Sequence, residues 1–396
     1  MLLSSSSAKD VGLSTPQPGF KSRREHVFNT VFLMLNMKKV GIIERYKRFL
    51  PRVREDCIVS LNEGNTPLIL AEALPKYLGL KRIKIYYKFE GLNPTGSFKD
   101  RGMTMAISKA VEKGCKSVIC ASTGNTSASA AAFSSRCGLK CYVLIPEGKI
   151  AKGKLLQAYR YGARVVTMDG NFDQALEIAK KLSEEGYAEL VNSLNPYRIE
   201  GQKTAAFEVV DDLGEAPDYH VLPVGNAGNI TAYWKGYKEY RAAAKSSNLP
   251  KMLGFQASGA APIVQNRIIA NPETIATAIR IGNPASWEGA VNARDESGGI
   301  IDSVTDGEIT MAYKFIAEKE GIFAEPASAA GVAGLIKLAR KNYFEKESTI
   351  VITLTGSGLK DIDFGLSFDD KPESARPEYD AVKHILDNPQ EDVSGS

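Results

Sequence analysis

Short apolar runs rich in β-branched and aromatic residues alternate with longer amphipathic segments from about residue 58 onward. The apolar runs have the length of buried strands, and most have Gly, Pro or Asn close by. They occupy residues 83–89, 117–121, 140–145, 163–167, 220–224 and 349–354. Helix-like patterns lie between them, for example over residues 127–137, 171–185 and 327–340. This alternation predicts an α/β fold with parallel strands covered by helices on both faces.

Ligands of open α/β sheets bind beyond the carboxyl ends of the strands, so the loops after the strands are the places to search. These loops span residues 90–101, 122–127, 146–154, 225–230 and 355–360. The third contains G-x-x-x-x-G-K, but Leu155 stands where a nucleotide-binding P-loop has the Ser or Thr that meets magnesium. Nucleotide hydrolysis is therefore not predicted.

Composition and charge exclude several classes of function. The 396 residues carry 50 basic and 46 acidic side chains, a balance that argues against a nucleic-acid or membrane-surface protein but leaves small anionic ligands open. The early apolar run at residues 31–35 is far shorter than the ~20 residues of a membrane span. Five scattered cysteines and three distant histidines lack the spacing of a metal site and suggest free thiols in a cytoplasmic protein. No metal is predicted.

Two of the strand-end loops have the composition of anion sites. Gly225-Asn226-Ala227-Gly228-Asn229 precedes a helix, so its main-chain N–H groups can point at one anion, although an ordinary tight turn has the same residues. Residues 122–127, Ser-Thr-Gly-Asn-Thr-Ser, open another helix. Some of their side chains can cap it, but there are more than a cap uses, which favours a carboxylate or phosphate ligand.

Two further loops carry candidate reactive groups. Lys99 lies among small turn residues ahead of a helix in residues 93–102. Most lysines are exposed surface residues, but one beside a helix start and an anion site, with a lowered pKa, is a nucleophile toward carbonyl groups. The loop from Thr355 supplies hydroxyls and glycines, and a simple turn is the alternative there. From the residues alone, both alternatives stay open.

Taken in chain order, four segments resemble the tryptophan-synthase-β superfamily of enzymes that use pyridoxal 5'-phosphate (PLP), most closely the threonine synthases. The segments are N-P-T-G-S-F-K-D-R-G at 93–102, S-T-G-N-T-S-A at 122–128, N-S-L-N-P-Y-R-I-E-G-Q-K-T at 192–204 and G-N-A-G-N at 225–229. The resemblance covers roughly residues 37–370. It implies PLP fold type II, in which two open, mostly parallel sheets are flanked by helices.

The same resemblance implies a domain organisation. Residues 37–94 and 189–370 are expected to form a large PLP-binding domain, with a smaller, mobile, substrate-closing domain at 95–188 inserted in it. Residues 371–396 are expected to form a tail. Residues 1–36, with a serine run and a basic stretch, are predicted to be a disordered extension; a transit peptide is the alternative.

The resemblance also implies roles for the loop residues toward PLP. Lys99 would form the Schiff base with the cofactor and shuttle protons once released. Asn125 would hydrogen-bond the 3'-oxygen, and the main chain of Gly225, Asn226, Ala227, Gly228 and Asn229 would hold the 5'-phosphate. The Thr355 hydroxyl would meet the pyridine nitrogen, and a neutral partner of this kind favours an unprotonated ring nitrogen.

The reaction implied is that of a carbon–oxygen lyase: O-phospho-L-homoserine and water give L-threonine and phosphate by γ-elimination and addition of water at Cβ. The substrate carboxylate is expected on Ser122, Thr123 and Thr126. Its phosphate is expected on Arg198, whose planar guanidinium can donate two parallel hydrogen bonds to phosphate. Further phosphate contacts are expected from Asn192, Ser193 and Lys154; Lys154 is inferred only from its place in the 146–154 loop.

Three alternatives remain. A threonine or serine dehydratase of the same fold is the nearest, but its relatives more often have an all-glycine phosphate loop and lack the 192–204 segment. Cysteine synthase is a more distant candidate. A catalytically inert phosphate-binding module is the alternative outside the enzymes. The family further suggests a cytoplasmic homodimer, with neither nucleic acid nor membrane as a partner.

Overall fold

The computed structural model describes residues 40–147, 152–368 and 372–387, except for the side chains of residues 152–154. In this part of the chain, two β-sheets are flanked by helices. The α/β class predicted from the alternating pattern is therefore confirmed. Within the same ranges, no helix has both the length and the apolarity needed to cross a membrane.

The larger sheet has six described strands in the order β1-β2-β10-β7-β8-β9. The first strand of this order is antiparallel to its neighbour and all other pairs are parallel. Numbered along the chain, the strands are β1 (Leu68–Leu70), β2 (Lys84–Phe89), β7 (Tyr219–Pro223), β8 (Lys251–Ala257), β9 (Ile300–Val304) and β10 (Thr349–Leu354).

The smaller sheet has four described strands, all parallel, in the order β5-β4-β3-β6. They are β3 (Ser117–Ala121), β4 (Lys140–Pro146), β5 (Arg164–Met168) and β6 (Glu189–Leu190). The sheets thus come from different parts of the chain, with the smaller one between β2 and β7. The division into a large and a mobile small domain stays a prediction, and residues 1–36 lie outside the described ranges.

The α-helices of the described residues are, in chain order, α1 (Ile42–Arg45), α2 (Ala73–Tyr77), α3 (Lys99–Glu112), α4 (Asn125–Cys137), α5 (Lys152–Arg160), α6 (Phe172–Glu184), α7 (Pro196–Gln202), α8 (Thr204–Leu213), α9 (Gly228–Ala242), α10 (Pro262–Gln265), α11 (Trp287–Glu296), α12 (Asp306–Glu320), α13 (Pro326–Ala339), α14 (Ile362–Gly365) and α15 (Tyr379–Asp387).

The central strand β10 shows why the predicted strands are continuous apolar runs. Ile350, Ile352 and Leu354 are buried in one hydrophobic core, which includes residues of α13. Val351 points to the opposite face and is buried in a second core with residues of α8 and α9. Because helices cover both faces, the side chains on both are apolar.

All six predicted strands are present, with ends that differ by at most one residue. The strands β1, β6, β8 and β9 were not predicted. Polar or small residues interrupt two of them, Gly254 and Gln256 in β8 and Asp302 and Ser303 in β9. The other two are only three and two residues long.

Candidate active site

Three chain segments meet by main-chain hydrogen bonds immediately before α3. The N–H of Phe98 donates to the carbonyl of Thr355 (3.0 Å), and the N–H of Ser357 donates to the carbonyl of Gly96 (2.9 Å). The N–H of Glu325, the residue before α13, donates to the carbonyl of Gly356 (2.9 Å). These bonds bring the start of α3, the start of α13 and the carboxyl end of β10 to one place.

Lys99 is the first residue of α3, and its side chain is partly buried beside this junction. Its Nζ lies 4.5 Å from the centre of the Phe98 ring. Burial and, to a smaller extent, the positive charge of Arg198 lower the pKa of Lys99 to about 7, although Glu325 opposes the shift. Near neutral pH an amine with this pKa is unprotonated in about half of the molecules, so it can act as a nucleophile and base.

The residue after Lys99 anchors the start of α3 to the neighbouring elements. The Asp100 carboxylate is buried and accepts hydrogen bonds from the Thr95 N–H (2.7 Å), the Thr95 hydroxyl (2.6 Å) and the Ser129 hydroxyl of α4 (2.6 Å). Burial raises the pKa of Asp100, while the hydroxyl donors and Lys360 oppose the rise. Asp100 therefore fixes the loop before Lys99.

Arg101, next along α3, lies at the centre of a buried network of charged groups. Its guanidinium binds both carboxylate oxygens of Glu90 (2.7 and 2.8 Å) and both of Glu208 (2.9 and 2.6 Å). Lys88 of β2 also donates to Glu208 (2.9 Å). Each of these side chains is at most 1 % exposed. The network joins α3, which begins with Lys99, to α8 and to the end of β2.

Glycines allow α3 and α7 to pack main chain against main chain. A Cβ at Gly201 would lie 1.9 Å from the carbonyl oxygen of Arg101, and a Cβ at Gly102 would lie 2.7 Å from Nε of Arg198. Neither distance is compatible with a side chain. The two glycines of the 93–102 and 192–204 motifs are thus required by this helix crossing.

Arg198 of α7 is 1 % exposed, and only part of its guanidinium is paired. Nη1 donates to the carbonyl of Val191 (2.8 Å), whereas Nε and Nη2 have no hydrogen-bond partner among the described residues. Burial lowers the pKa of Arg198 to about 10, so the group is still charged at neutral pH. Two buried cationic donors without a partner indicate an anion site.

The 225–229 loop lies at the carboxyl end of β7 and opens α9. Ala227 has φ of +64°, the left-handed conformation that turns successive N–H groups to one side, and no side chain caps the helix. The buried Asn229 Nδ2 has no partner among the described residues. Asn226 donates to the Ser193 hydroxyl (3.2 Å), which brings the loop to the 192–204 segment.

The 122–127 loop lies at the carboxyl end of β3, and no side chain caps the start of α4. Ser122 Oγ accepts from the N–H of Gly124 (3.2 Å) within the loop. The uncapped N–H groups and the hydroxyls are suited to an anion. Asn192, by contrast, exchanges two hydrogen bonds of 2.9 Å with the main chain of Ala121, so its amide holds the 192–204 segment against β3.

Asn125 and Thr355 meet through a residue that the sequence did not single out. The Glu325 carboxyl is hydrogen-bonded to Asn125 Nδ2 (2.9 Å) through one oxygen and to Thr355 Oγ1 (2.8 Å) through the other. The sequence signal was weak, since Glu325 is the only charged residue in a run of small and apolar ones, Ile322 to Ala330.

Lys360 was likewise not predicted. It donates to the carbonyl of Thr95 (3.1 Å) and to Gln157 of α5, and burial lowers its pKa. The side chain of Lys154 lies outside the described part of the structure, so its role stays a prediction. The other predicted residues lie between the carboxyl ends of β3 and β7 and the first turns of α4 and α9, after β10, at the start of α3, or along residues 192–198.

The residues present fit the groups of PLP. Lys99 supplies an amine of lowered pKa, the start of α9 with Ala227 and Asn229 supplies donors for a phosphate, and Asn125 and Thr355 supply further polar side chains. Arg198 supplies a second anion site within electrostatic range of Lys99.

Comparison with known proteins identifies the same chemistry. Residues 59–356 match the family of pyridoxal-phosphate dependent enzymes. The threonine synthase of Halalkalibacterium halodurans is 60 % identical over 327 residues, which are 83 % of this chain and 91 % of that protein. The threonine synthase of Methanocaldococcus jannaschii is 51 % identical over 361 residues, 89 % of this chain and 88 % of its own.

Solved structures with this architecture are more distant in sequence. Maize serine racemase superposes with a TM-score of 0.67 at 22 % identity, covering 83 % of this chain and 97 % of its own. Processed threonine deaminase isoform 2 of Solanum lycopersicum has a TM-score of 0.64 at 21 % identity, covering 88 % of this chain and 95 % of its own. These likenesses confirm PLP fold type II. The family match and the long, highly identical relatives together show that the chain belongs to the PLP-dependent enzymes and, among these, to the threonine synthases, which are lyases.

Proposed function

We propose that the protein converts O-phospho-L-homoserine and water to L-threonine and phosphate, and that Arg198 binds the phosphate of the substrate. The observation that carries this proposal is the pair of buried nitrogens on Arg198 that have no hydrogen-bond partner among the described residues. A buried guanidinium with free donors is unfavourable unless an anion joins it. A phosphate accepts two parallel hydrogen bonds from such a fork.

The surroundings of Arg198 support a phosphorylated substrate over a simple amino acid. Ser193 lies on the same segment, and its hydroxyl accepts a hydrogen bond from Asn226 of the 225–229 loop. Asn192 fixes that segment to β3, and a direct contact from Asn192 to the phosphate is part of the proposal. Lys154 completes the proposed phosphate contacts.

The cofactor would be held by Lys99, by the main chain from Gly225 to Asn229, by Asn125 and by Thr355. When bound, PLP withdraws electrons from the carbon that bears the amino group, which makes its proton removable. The residue that takes and returns protons is Lys99, through Nζ, because its pKa of about 7 permits both directions near neutral pH.

The substrate carboxylate is proposed to lie on Ser122, Thr123 and Thr126 at the uncapped start of α4. With its carboxylate there and its phosphate on Arg198, the substrate would be fixed at both ends. Such two-point binding orients the reacting carbons relative to Lys99.

The test measures phosphate release from O-phosphohomoserine and keto-acid formation from threonine and serine by the same holoenzyme. We expect phosphate release with threonine as product to dominate. Arg198→Met should raise KM for O-phosphohomoserine at least tenfold and raise KM for serine much less, whereas Arg198→Lys should recover part of the loss. Faster deamination than phosphate release in the wild-type enzyme would support the dehydratase alternative and contradict the proposal.

We further propose that the protein is a cytoplasmic homodimer whose smaller domain closes over the substrate. Resemblance to the family supports this assembly, and the bond between Lys360 and Gln157 supports contact between the β10 loop and α5. Sedimentation equilibrium and small-angle scattering with and without substrate test both points: a monomer, or an unchanged radius of gyration, would contradict them.

A further inference from the structure

Glu325 is the residue that links the two cofactor-facing side chains. Its side chain is buried, with 3 % of the residue exposed, and its two oxygens contact Asn125 Nδ2 and Thr355 Oγ1 separately. Since Asn125 has a second amide hydrogen, it can bond Glu325 and the cofactor at once. Thr355 has only one hydroxyl hydrogen, so its partner matters.

The position of the carboxyl is fixed by its surroundings. The main chain of Glu325 is bonded to Gly356, and the carboxyl packs directly on that glycine. A Cβ at Gly356 would lie 2.7 Å from Cδ and 2.8 Å from each carboxyl oxygen. The absence of a side chain at Gly356 is therefore what gives the carboxyl its place beside Thr355.

The charges around Glu325 do not neutralise it at close range. No cation of the described residues forms an ion pair with it at 4.0 Å or less, although Lys99 and Lys360 lie within electrostatic range and Asp361 adds a negative field. Burial raises the pKa of Glu325; hydrogen bonds that Asn125 and Thr355 donate to the ionised form oppose the rise. An ionised carboxylate is costly in such a place.

Ser328 limits the directions that remain for the hydroxyl of Thr355. Ser328 Oγ accepts from the N–H of Gly356 (3.2 Å) and lies 3.0 Å from Thr355 Oγ1. Its alternative acceptor, the carbonyl of Gly356, is at 3.5 Å, so its proton is best placed toward Thr355. Thr355 then accepts from Ser328 and has one proton for either Glu325 or the cofactor.

We propose that Glu325 is a positioning residue that carries a proton and donates it to Thr355 Oγ1, so that Thr355 donates its own proton to the ring nitrogen of PLP and keeps that nitrogen unprotonated. This inference rests on the proposed function, which sets Thr355 opposite the ring nitrogen. An unprotonated ring withdraws electrons less strongly, so proton transfer depends more on Lys99.

The test uses holoenzyme loaded with PLP labelled with ¹⁵N in the ring. At neutral pH the wild-type ¹⁵N shift should be that of an unprotonated nitrogen that accepts a hydrogen bond. Glu325→Gln should leave it unchanged, because an amide nitrogen donates to Thr355 as a protonated carboxyl does. Thr355→Val should move it toward that of a nitrogen without a donor. Ser328→Ala, the matched control, keeps the Glu325–Thr355 contact and should leave the nitrogen unprotonated.

A second readout follows Glu325 itself. The infrared difference spectrum between wild type and Glu325→Gln should contain the carbonyl band of a protonated carboxylic acid, whether or not substrate turns over. A protonated ring nitrogen in the wild type that loses its proton in Glu325→Gln, or a missing acid band, would overturn the inference. An unchanged ¹⁵N shift in Thr355→Val would also overturn the inference, because it would show that Thr355 does not contact the ring nitrogen. The assay on Arg198 tests the proposed function separately, since it does not depend on where Thr355 lies.

Discussion

Replacing Arg101 by methionine tests whether the buried charge network holds the start of α3 in place. The guanidinium binds four carboxylate oxygens, two on Glu90 and two on Glu208. In the variant, Lys88 is the one cation among the described residues that stays in direct contact with this pair, through Glu208, so two buried negative charges share one positive charge. Methionine fills a similar volume, which separates the loss of charge from the loss of packing.

The size of the effect follows from the burial of all partners. Breaking a buried ion pair by removing one member costs about 3–5 kcal/mol, because the other charge is left uncompensated. The pKa of Glu208 is well below its usual range because Arg101 and Lys88 outweigh its burial. A depressed carboxylate pKa stabilises the fold above the unfolded pKa of about 4.3, and this contribution is lost as the pH falls through the folded pKa.

Urea unfolding of the holoenzyme at neutral pH measures the difference. We expect Arg101→Met to lower the unfolding free energy by about 3–5 kcal/mol and Arg101→Lys by less, since the charge stays but the fork is lost. The deficit should shrink toward about pH 5, where the unpaired carboxylates protonate. The matched control is Arg82→Met, which breaks an exposed ion pair to Glu347 of 2.6 Å and should cost at most about 1 kcal/mol. Equal losses in the two methionine variants would refute the reasoning.

Three further outcomes are expected. In cofactor-free protein, the rate of PLP capture should rise with pH about a midpoint near 7, and Arg198→Met should raise that midpoint because a neighbouring positive charge is gone from Lys99; stopped-flow absorbance measures both. Gly201→Ala should destabilise the protein by about 1–3 kcal/mol in urea unfolding through overpacking, whereas Gly307→Ala in the first turn of α12, where the nearest described atom is 4.0 Å from the new Cβ, should be tolerated. His220 is buried and neutral, with a pKa lowered to about 3, so the unfolded chain gains its proton first as the pH falls. Between about pH 6.5 and 3 stability should decrease by up to about 1.4 kcal/mol per unit from this residue, and His220→Gln should remove that slope.

The fold was predictable because the strands of a covered parallel sheet leave a strong signal. Ile350, Ile352 and Val351 are apolar although they face opposite sides, since helices cover both. The β8 and β9 strands were missed because Gly254 and Asp302 break that signal. There, pairing in the sheet outweighs local sequence pattern.

The candidate site divides in the same way. The position of Lys99, Asn125 and Thr355 in strand-end segments was predictable, because each follows a turn-rich strand end, a local feature; their roles toward PLP came from the family resemblance and stay predictions. Glu325 was not, because its importance comes from two partners 200 and 30 residues away in sequence. A carboxylate before a proline and a helix has an ordinary local explanation, and nothing in the flanking residues distinguishes it from a surface helix start.

The same distinction explains why motif glycines have different meanings. In Gly102 and Gly201 the missing side chain allows two helices to touch, and in Gly356 it makes room for the Glu325 carboxyl. Conformational need does not account for these three, since none has a positive φ. Gly96, by contrast, does have one, at +85°, and its role in the turn before Lys99 is conformational. A glycine in a sequence motif can therefore be required either because a side chain would not fit or because the main chain needs a positive φ. Only the tertiary structure shows which of the two applies.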